Sequence, residues 1–73
     1  MKRLKQSIIE MLLKNDTHQK ELAEAMGVKQ TAIYQSLKNT LGRSIVKSYG
    51  GMHYLMDTLG LSFEQLVEEL DGE

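Results

Sequence analysis

A chain of 73 residues with a formal net charge of -1 has room for one small domain, and its 41% hydrophobic and 5% aromatic residues suit an aliphatic core between short helices. The absence of cysteine excludes disulfides and thiolate metal ligands, and no apolar run approaches the roughly 18 residues that a membrane-spanning helix needs. We therefore expect a single all-α domain over residues 1–73, located in the cytoplasm and without a membrane partner.

The charge is unevenly distributed along the chain. All nine lysines and arginines lie at or before Lys47, together with only four acidic residues, which gives this part a net charge of about +5. The stretch after Lys47 carries six acidic side chains and no basic one. A basic half suits a polyanion that an acidic half avoids, although charge also fluctuates along many soluble chains. The asymmetry supports nucleic-acid binding without establishing it.

The first predicted helix covers residues 2–14, where apolar side chains recur at helical spacing. Its expected core stripe consists of Leu4, Ile8, Met11 and Leu12, widened by Ile9 and Leu13. The polar run "NDT" at 15–17 then supplies stop and cap residues. Thr17 is the expected N-cap of the second helix.

The second helix is predicted to end near Met26, and the third to run from residue 29 or 30 to about Lys38. Gly27 separates them, because glycine adopts a positive φ at a helix C-terminus without a Cβ clash. The side chains expected to face the core are those of Leu22, Ala23, Met26, Ala32, Ile33 and Leu37. The remaining positions of the third helix are polar.

Residues 39–51 allow two interpretations. Apolar side chains continue at helical spacing, but Gly50 and Gly51 interrupt them, and each disfavours a helix by roughly 1 kcal/mol. We therefore expect a loop or short turn up to Gly51, followed by a helix over residues 52–59. A β-hairpin over residues 44–56, turning at the two glycines, is the alternative and would make the fold α+β.

Local signals define the last predicted helix, residues 63–70. Gly60 occupies a C-cap position, and Ser62 with Gln65 three residues later forms a capping box. The expected apolar positions of this helix are Phe63, Leu66, Val67 and Leu70. The chain is thus predicted to form five short helices.

Residues 18–38 have the spacing of a helix-turn-helix, in which one helix lies across the DNA backbone and the next enters the major groove. A small residue is needed where the two helices cross, and Ala23 supplies it. A glycine is needed at the turn, followed by an apolar anchor, and these are Gly27 and Val28. Further apolar anchors on the second helix are Ile33 and Leu37.

The segment "QKELAEAMGVKQTAIYQSL" resembles the helix-turn-helix of the lambdoid phage repressor and Cro proteins. The family pattern of Gln, Leu-Ala, apolar-Gly-apolar, and Ile or Val is matched by Gln19, Leu22, Ala23, Met26, Gly27, Val28 and Ile33. The later segment "LMDTLGLSFEQLVEEL" is similar to the last two helices of that family. Between them, residues 39–51 are somewhat longer than in the commonest members and lack their Asn-Gly and Pro markers.

The resemblance implies a compact five-helix, lambda-repressor-like domain acting as a sequence-specific transcriptional repressor of Cro type. A phage or prophage would encode it, and it would bind a pseudo-palindromic operator in double-stranded DNA without a cofactor or small-molecule ligand. Some Cro proteins complete the fold with a β-hairpin, which keeps that alternative open.

The short site that one helix can read implies a homodimer. We expect the dimer either to be stable in solution or to form only on the operator. The candidate contact residues are Tyr49, Tyr54, Phe63 and Val67.

The resemblance also implies roles for individual positions. The residues expected to face the bases are Gln30, Thr31, Tyr34 and Gln35, and Gln19 is expected to contact a phosphate. The chemistry agrees, because a glutamine amide pairs with adenine N6 and N7, and threonine offers a hydroxyl or a methyl group. Tyr34 is larger than the residues common at its position and is expected to stack on a sugar, bond a phosphate or pack. Lys29, Lys38 and Arg43 flank the helix and suit phosphate contacts.

Other functions have less support in the sequence. His18 and His53 lie far apart with no metal-ligand spacing, so no metal site is expected. Nothing indicates a nucleophile beside a base in a pocket, so we do not expect an enzyme. The alternative from another class is a helical protein-interaction module, such as an antitoxin-like or adaptor domain, whose third helix meets a protein.

Overall fold

A computed structural model describes residues 2–69 of the chain. In this range the chain forms a small, mostly helical domain with one two-stranded sheet. Its elements in chain order are β1 (Lys2–Leu4), α1 (Gln6–Leu13), α2 (Asp16–Met26), α3 (Gln30–Asn39), α4 (Arg43–Val46), α5 (Tyr49–Leu59), α6 (Phe63–Leu66) and β2 (Val67–Glu69). None of the described helices is long and apolar enough to cross a lipid bilayer.

The strands β1 and β2 pair as an antiparallel sheet in which Leu4 lies opposite Val67. Next to this pair, Lys5 N donates a hydrogen bond to Leu66 O at 2.9 Å. Leu4 N donates to Leu41 O at 3.1 Å on the other side. The fold is therefore not all-α as predicted, because segments near both ends of the chain are extended and bonded to each other.

Both outer helices are shorter than predicted for the same reason. The first helix begins at Gln6, because Lys2–Leu4 is extended in β1. The last helix ends at Leu66, and Val67 is already the first residue of β2. Leu70, predicted in that helix, lies outside the described residues. Helical spacing is a local signal, and pairing with a distant segment overrides it here.

The N-cap of α2 is Asn15, whereas the sequence predicts Thr17. Asn15 is extended, and its side-chain Oδ1 accepts a hydrogen bond from His18 N at 3.0 Å. Asparagine is at least as good an N-cap as threonine, so the helix starts at the earlier of the two possible caps. Asp16 consequently lies in the first turn of α2.

A left-handed glycine separates α2 from α3, as predicted. Gly27 has a φ of 72°, and Val28 N beyond it donates to Ala23 O at 2.9 Å. Hydrogen bonds of this type close a helix at a C-terminal glycine. The predicted start of α3 at residue 29 or 30 is confirmed, since the helix begins at Gln30, and it extends one residue beyond its predicted end.

One predicted apolar anchor, Val28, and one residue predicted to face the core, Ala32, are exposed instead. Val28, directly after the left-handed Gly27, is 43% exposed. Ala32 is also exposed in the first turn of α3. The buried side of α3 consists of Ile33, Ser36 and Leu37, and the hydroxyl of Ser36 lies 2.6 Å from that of Ser44.

The region between α3 and α6 is helical where a loop was predicted. The helix α4 covers Arg43–Val46, and α5 begins at Tyr49, three residues before its predicted start. The alternative of a β-hairpin over residues 44–56 is wrong as well. Ser48 caps α5 by accepting a hydrogen bond from Gly51 N at 3.1 Å.

Gly50 and Gly51 lie inside α5 because this helix passes close to the end of α2. A Cβ atom on Gly50 would lie 2.6 Å from Ala25 O, and one on Gly51 would lie 2.9 Å from the sulfur of Met26. Both distances are well below the optimal separation of nonbonded atoms. The helical cost of two glycines is therefore offset by a close helix contact that the sequence alone does not show.

A single core fixes α3 relative to the other elements. Its largest fully buried side chains are Leu4, Leu12, Leu22, Ile33, Leu37, Ile45, Leu55 and Leu66, from β1 and all six described helices. Gly60, with a φ of 67°, ends α5 as predicted. The predicted capping box of Ser62 and Gln65 is confirmed at the start of α6.

Candidate nucleic-acid interface

One face of α3 is exposed while the opposite face is buried in the core. The structure brings six of the eight predicted contact residues to this face, and we call them the α3 surface: Lys29, Gln30, Thr31, Tyr34, Gln35 and Lys38. All are exposed except Gln30, which is half-buried at the first position of the helix. The two predicted contact residues outside the α3 surface are Gln19 and Arg43.

Gln19 lies in the interior, only 6% exposed. Its Nε2 donates to Leu12 O at 2.8 Å and to Leu13 O at 3.3 Å. Its Oε1 accepts a hydrogen bond from Gln30 Nε2 at 3.1 Å. Both N–H groups of the Gln19 amide are thus used within the fold, and this geometry leaves none for the phosphate contact that the sequence predicts.

Gln30 joins the start of α3 to the start of α2. Besides its bond to Gln19, its Nε2 donates to Oδ1 of Asp16. Asp16 is also paired with Lys20, whose Nζ lies 3.3 Å from Oδ2. The hydrogen bond from Gln30, and next that from Lys20, lower the pKa of Asp16 below its ordinary value. At neutral pH the carboxylate of Asp16 is therefore ionised and accepts hydrogen bonds.

Asp16 is the member of this site that sequence reasoning misses. An acidic residue in the first turn of a helix is explained by the helix dipole alone, so the sequence gives no separate signal for its contact with Gln30. The two residues are fourteen positions apart. Only the packing of α2 against α3 brings them together.

Tyr34 is 45% exposed, and the ammonium group of Lys38 lies 5.9 Å from the centroid of its ring. This distance is within the range of a cation–π interaction. The exposure of Tyr34 shows that it is not a core residue, and its three predicted roles, stacking on a sugar, bonding a phosphate or packing, stay predictions. The ring and the ammonium group form one joint feature in the later part of the α3 surface.

The two remaining cations lie beyond the ends of α3. Lys29 is the exposed N-cap residue of α3, with extended backbone. Arg43 is the half-buried first residue of α4, which packs against the end of α3. Positive charge therefore precedes α3, lies in its last turn at Lys38 and follows it in α4.

The strand pair brings opposite charges together near the ends of the chain. Lys2 Nζ lies 3.0 Å from a carboxylate oxygen of Glu69, and Arg3 Nε lies 3.6 Å from one of Glu68. The hydrogen bond from Lys2 lowers the pKa of Glu69. The division into a basic and an acidic half is thus not preserved in space, because two of the basic residues pair with the acidic half.

A chain of polar contacts joins α2 to α5. Tyr54 donates a hydrogen bond to Oε1 of Glu21 at 2.7 Å, and its hydroxyl lies 3.0 Å from Nδ1 of His18. Burial, followed by the bond to Glu21, raises the pKa of Tyr54. Its hydroxyl is committed to these contacts, which makes Tyr54 a poor candidate for a dimer surface.

The other predicted dimer residues have contrasting environments. Val67 is only 5% exposed and lies opposite Leu4 in the sheet, so it belongs to the core. Tyr49 is 85% exposed and Phe63 is 38% exposed. These two aromatic residues line a shallow groove with Val46, Met52 and Met56, and we call it the aromatic groove.

No described feature has the donor set of a metal site, since residues 2–69 contain no cluster of three histidine, cysteine or acidic side chains. Comparison with known proteins adds no relative. No family model matches the chain, and neither a curated protein nor a solved structure matches it.

Proposed function

We propose that this protein is a sequence-specific DNA-binding transcriptional regulator that places α3 in the major groove. The α3 surface is the observation that carries the proposal, because it combines amide, hydroxyl and ammonium groups on one exposed helix face. A helix of 10 residues is about 15 Å long. The major groove is about 12 Å wide and admits a helix.

Thr31 and Gln35 are the proposed base contacts with the most available side chains. Both are exposed, and neither makes a hydrogen bond to another described residue through its side chain. They lie one helical turn apart, which lets them reach neighbouring base pairs. Gln30 contributes a third contact from the first position of α3.

The proposed phosphate contacts are Lys29, Lys38 and Arg43. They lie before α3, in its last turn and in α4, so they can meet the backbone on both sides of the groove. Such contacts fix the orientation of the helix but carry no sequence information. They make affinity strongly dependent on salt.

We further propose that α2 and α3 form a helix-turn-helix like that of the Cro proteins and lambdoid repressors, which the sequence resembles. Ala23 is buried on α2, Gly27 has the left-handed turn conformation, and Ile33 is buried on α3. This arrangement supports a lambda-repressor-like helix-turn-helix with an added two-stranded sheet. A Cro-type repressor encoded by a phage or prophage is the specific function that we propose for it.

A single α3 reads only part of a helical turn, so the proposal includes a homodimer on a pseudo-palindromic operator. The aromatic groove is the proposed contact surface, because Tyr49 and Phe63 expose large aromatic side chains there. Aromatic residues and methionine are enriched in protein interfaces. Dimerisation in solution and dimerisation only on the operator both agree with this surface.

A helical protein-interaction module is the second candidate. It is favoured by two exposed large hydrophobic side chains, Tyr34 within the α3 surface and Val28 two residues before α3. A protein partner of α3 would bind without regard to DNA sequence.

Selection of bound sequences from random double-stranded DNA tests the proposal. We expect the protein to enrich a pseudo-palindrome whose half-sites lie about one helical turn apart. The matched control is the Thr31→Ala/Gln35→Ala protein, whose changes are confined to exposed positions and should leave the fold intact by circular dichroism. Enrichment of no sequence by the wild-type protein would contradict the proposal and favour a protein partner.

A further inference from the structure

The orientation of the Gln19 amide is fixed by its buried partners. The main-chain oxygens of Leu12 and Leu13 accept hydrogen bonds and cannot donate them, so they require the Nε2 group of Gln19. Its Oε1 must then point the other way, toward Gln30. The interior of the protein thus presents an acceptor to the first side chain of α3.

Gln30 consequently meets acceptors on two sides. One is Oε1 of Gln19, and the other is the carboxylate of Asp16. Only the Nε2 group of Gln30 can satisfy both, and it has two hydrogens to do so. The assignment of nitrogen and oxygen in this amide therefore follows from the chemistry of the partners.

With both hydrogens used, Gln30 has only its carbonyl oxygen left for DNA. Among residues 2–69, no group donates a hydrogen bond to that oxygen. A glutamine with an available N–H pairs with both N6 and N7 of adenine. Gln30 in its present orientation lacks the N–H for N7 and can only accept.

We propose that Asp16 is a specificity-determining residue, which holds Gln30 as a hydrogen-bond acceptor for an exocyclic amine in the major groove; this inference rests on the proposed DNA-binding function. The amines concerned are N6 of adenine and N4 of cytosine. Guanine presents only the acceptors N7 and O6 at its edge, so it is disfavoured opposite Gln30. Asp16 acts through Gln30 and does not itself contact the base.

The charge of Asp16 has a separate effect on affinity. Its side chain is 68% exposed and is partly compensated by Lys20 at 3.3 Å. A negative charge near DNA weakens binding to every sequence. Removing the charge and removing the acceptor are therefore expected to have different consequences, and two substitutions separate them.

The test compares binding to operators that differ only at the base pair opposite Gln30. This base pair is identified as the position at which the wild-type protein prefers certain bases and the Gln30→Ala protein does not. Wild-type protein should discriminate against guanine there by roughly tenfold or more. Asp16→Ala removes the acceptor and frees one hydrogen of Gln30, which can then be donated to N7 or O6 of guanine, so discrimination of cytosine over guanine should fall to about twofold or less. Adenine, which can then pair at both N6 and N7, should be bound better than either. The Asp16→Ala/Gln30→Ala protein should show the same loss of preference as Gln30→Ala, because Asp16 acts only through Gln30.

Two control variants isolate the effect of charge. Asp16→Asn keeps a carbonyl acceptor without the charge, so it should bind all sequences more tightly and retain most of the discrimination against guanine. Glu24→Ala removes another exposed carboxylate of α2 and should raise affinity without changing base preference. A loss of discrimination in Glu24→Ala equal to that in Asp16→Ala would overturn the inference, because charge alone would then explain it.

A measurement without DNA follows the Gln30 amide directly. The side-chain NH₂ resonances of Gln30 in an NMR spectrum should shift as Asp16 is protonated by acid, and this shift should be absent in Asp16→Ala.

The outcomes of these experiments distinguish the proposed DNA-binding function from the inference about Asp16. If wild-type protein selects no sequence, both fail. If it selects a sequence but Asp16→Ala retains full discrimination against guanine, or Gln30→Ala changes no base preference, only the inference about Asp16 fails.

Discussion

The ammonium group of Lys38 lies over the ring of Tyr34, so these two side chains occupy the α3 surface as one unit. An exposed lysine has many rotamers, and the ring restricts them. Cation–π pairs at exposed sites are worth about 0.5–1 kcal/mol. Tyr34 is therefore expected to act on DNA partly through the position of Lys38.

Replacement of Lys38 by alanine should weaken binding to all DNA sequences to a similar extent, because a phosphate contact carries no sequence information. The plot of log affinity against log salt concentration should become less steep, its negative slope losing about 1 in magnitude. Titrations of operator and unrelated DNA at several salt concentrations measure both effects. Lys14→Ala, which changes an exposed lysine at the end of α1, is the control. A loss confined to the operator would mean that Lys38 contacts a base.

Replacement of Gln35 by alanine should have the opposite pattern. A lost base contact should cost about 1–3 kcal/mol on the operator and relax the preference at one base pair in each half-site. Binding to unrelated DNA should change little. Competition assays with single-base operator variants measure this, and Lys38→Ala serves as the comparison. If the base preference is unchanged in Gln35→Ala, Gln35 does not contact a base.

The site is predictable from the sequence where it depends on local periodicity. Thr31, Tyr34 and Gln35 point outward because the buried positions of α3 follow helical spacing. The orientation of the Gln30 amide depends instead on Asp16 and on two main-chain oxygens of α1, which are distant in sequence. Hydrogen bonds between elements are the part of the site that residue patterns do not contain.

At the scale of elements, local signals decide the ends of several helices. The C-terminal glycine of α2, the glycine that ends α5 and the capping box of α6 act within a few residues of their positions, and all three predictions are confirmed. The strands β1 and β2 and the early start of α5 depend on contacts between distant segments. Propensity and periodicity do not include those contacts, and there the prediction fails.

The close contact between α2 and α5 predicts a difference between two neighbouring glycines. Gly50→Ala should destabilise the fold by about 1–3 kcal/mol, because the new methyl group meets the rigid main-chain oxygen of Ala25. Gly51→Ala should cost less, because it meets the flexible end of Met26. Urea denaturation of both variants measures the free energies of unfolding. Equal stability of Gly50→Ala and wild type would show that the helices can move apart without cost.

At the scale of the whole molecule, the aromatic groove predicts how copies associate. Replacement of exposed Tyr49 by serine removes a large aromatic surface and should weaken dimerisation without loss of folding. Sedimentation at several protein concentrations, together with the steepness of operator binding, measures this. Tyr34→Ser, an equivalent change on the α3 surface, is the control and should leave the oligomeric state unchanged. If Tyr49→Ser dimerises like wild type, another surface holds the two copies.

The ion pair of Lys2 with Glu69 predicts a dependence of stability on pH. The pKa of Glu69 is lower in the folded protein than its ordinary value of 4.5. The ionised side chain therefore stabilises the fold at a pH above 4.5, and this stabilisation is lost as the pH falls through the pKa of Glu69 in the folded protein. Lys2→Ala should therefore lower the melting temperature at pH 7 and have a smaller effect at pH 3, because the contribution of Glu69 declines as the pH falls below 4.5. Lys14→Ala should show no such change with pH. An equal effect of Lys2→Ala at both pH values would exclude the ion pair as its cause.

Pairing of β1 with β2 also has a consequence for the order of folding. Lys2 and Glu69 are 67 positions apart, so the sheet closes a loop that contains nearly all of the described chain. Such closure costs more entropy than the contacts between neighbouring helices, and contacts of high sequence separation tend to form late. Substitutions in β1 should accordingly speed unfolding more than they slow folding. We therefore expect β1 and β2 to pair only after the helices have packed together. The amide protons of the two strands should be among the first to exchange with solvent.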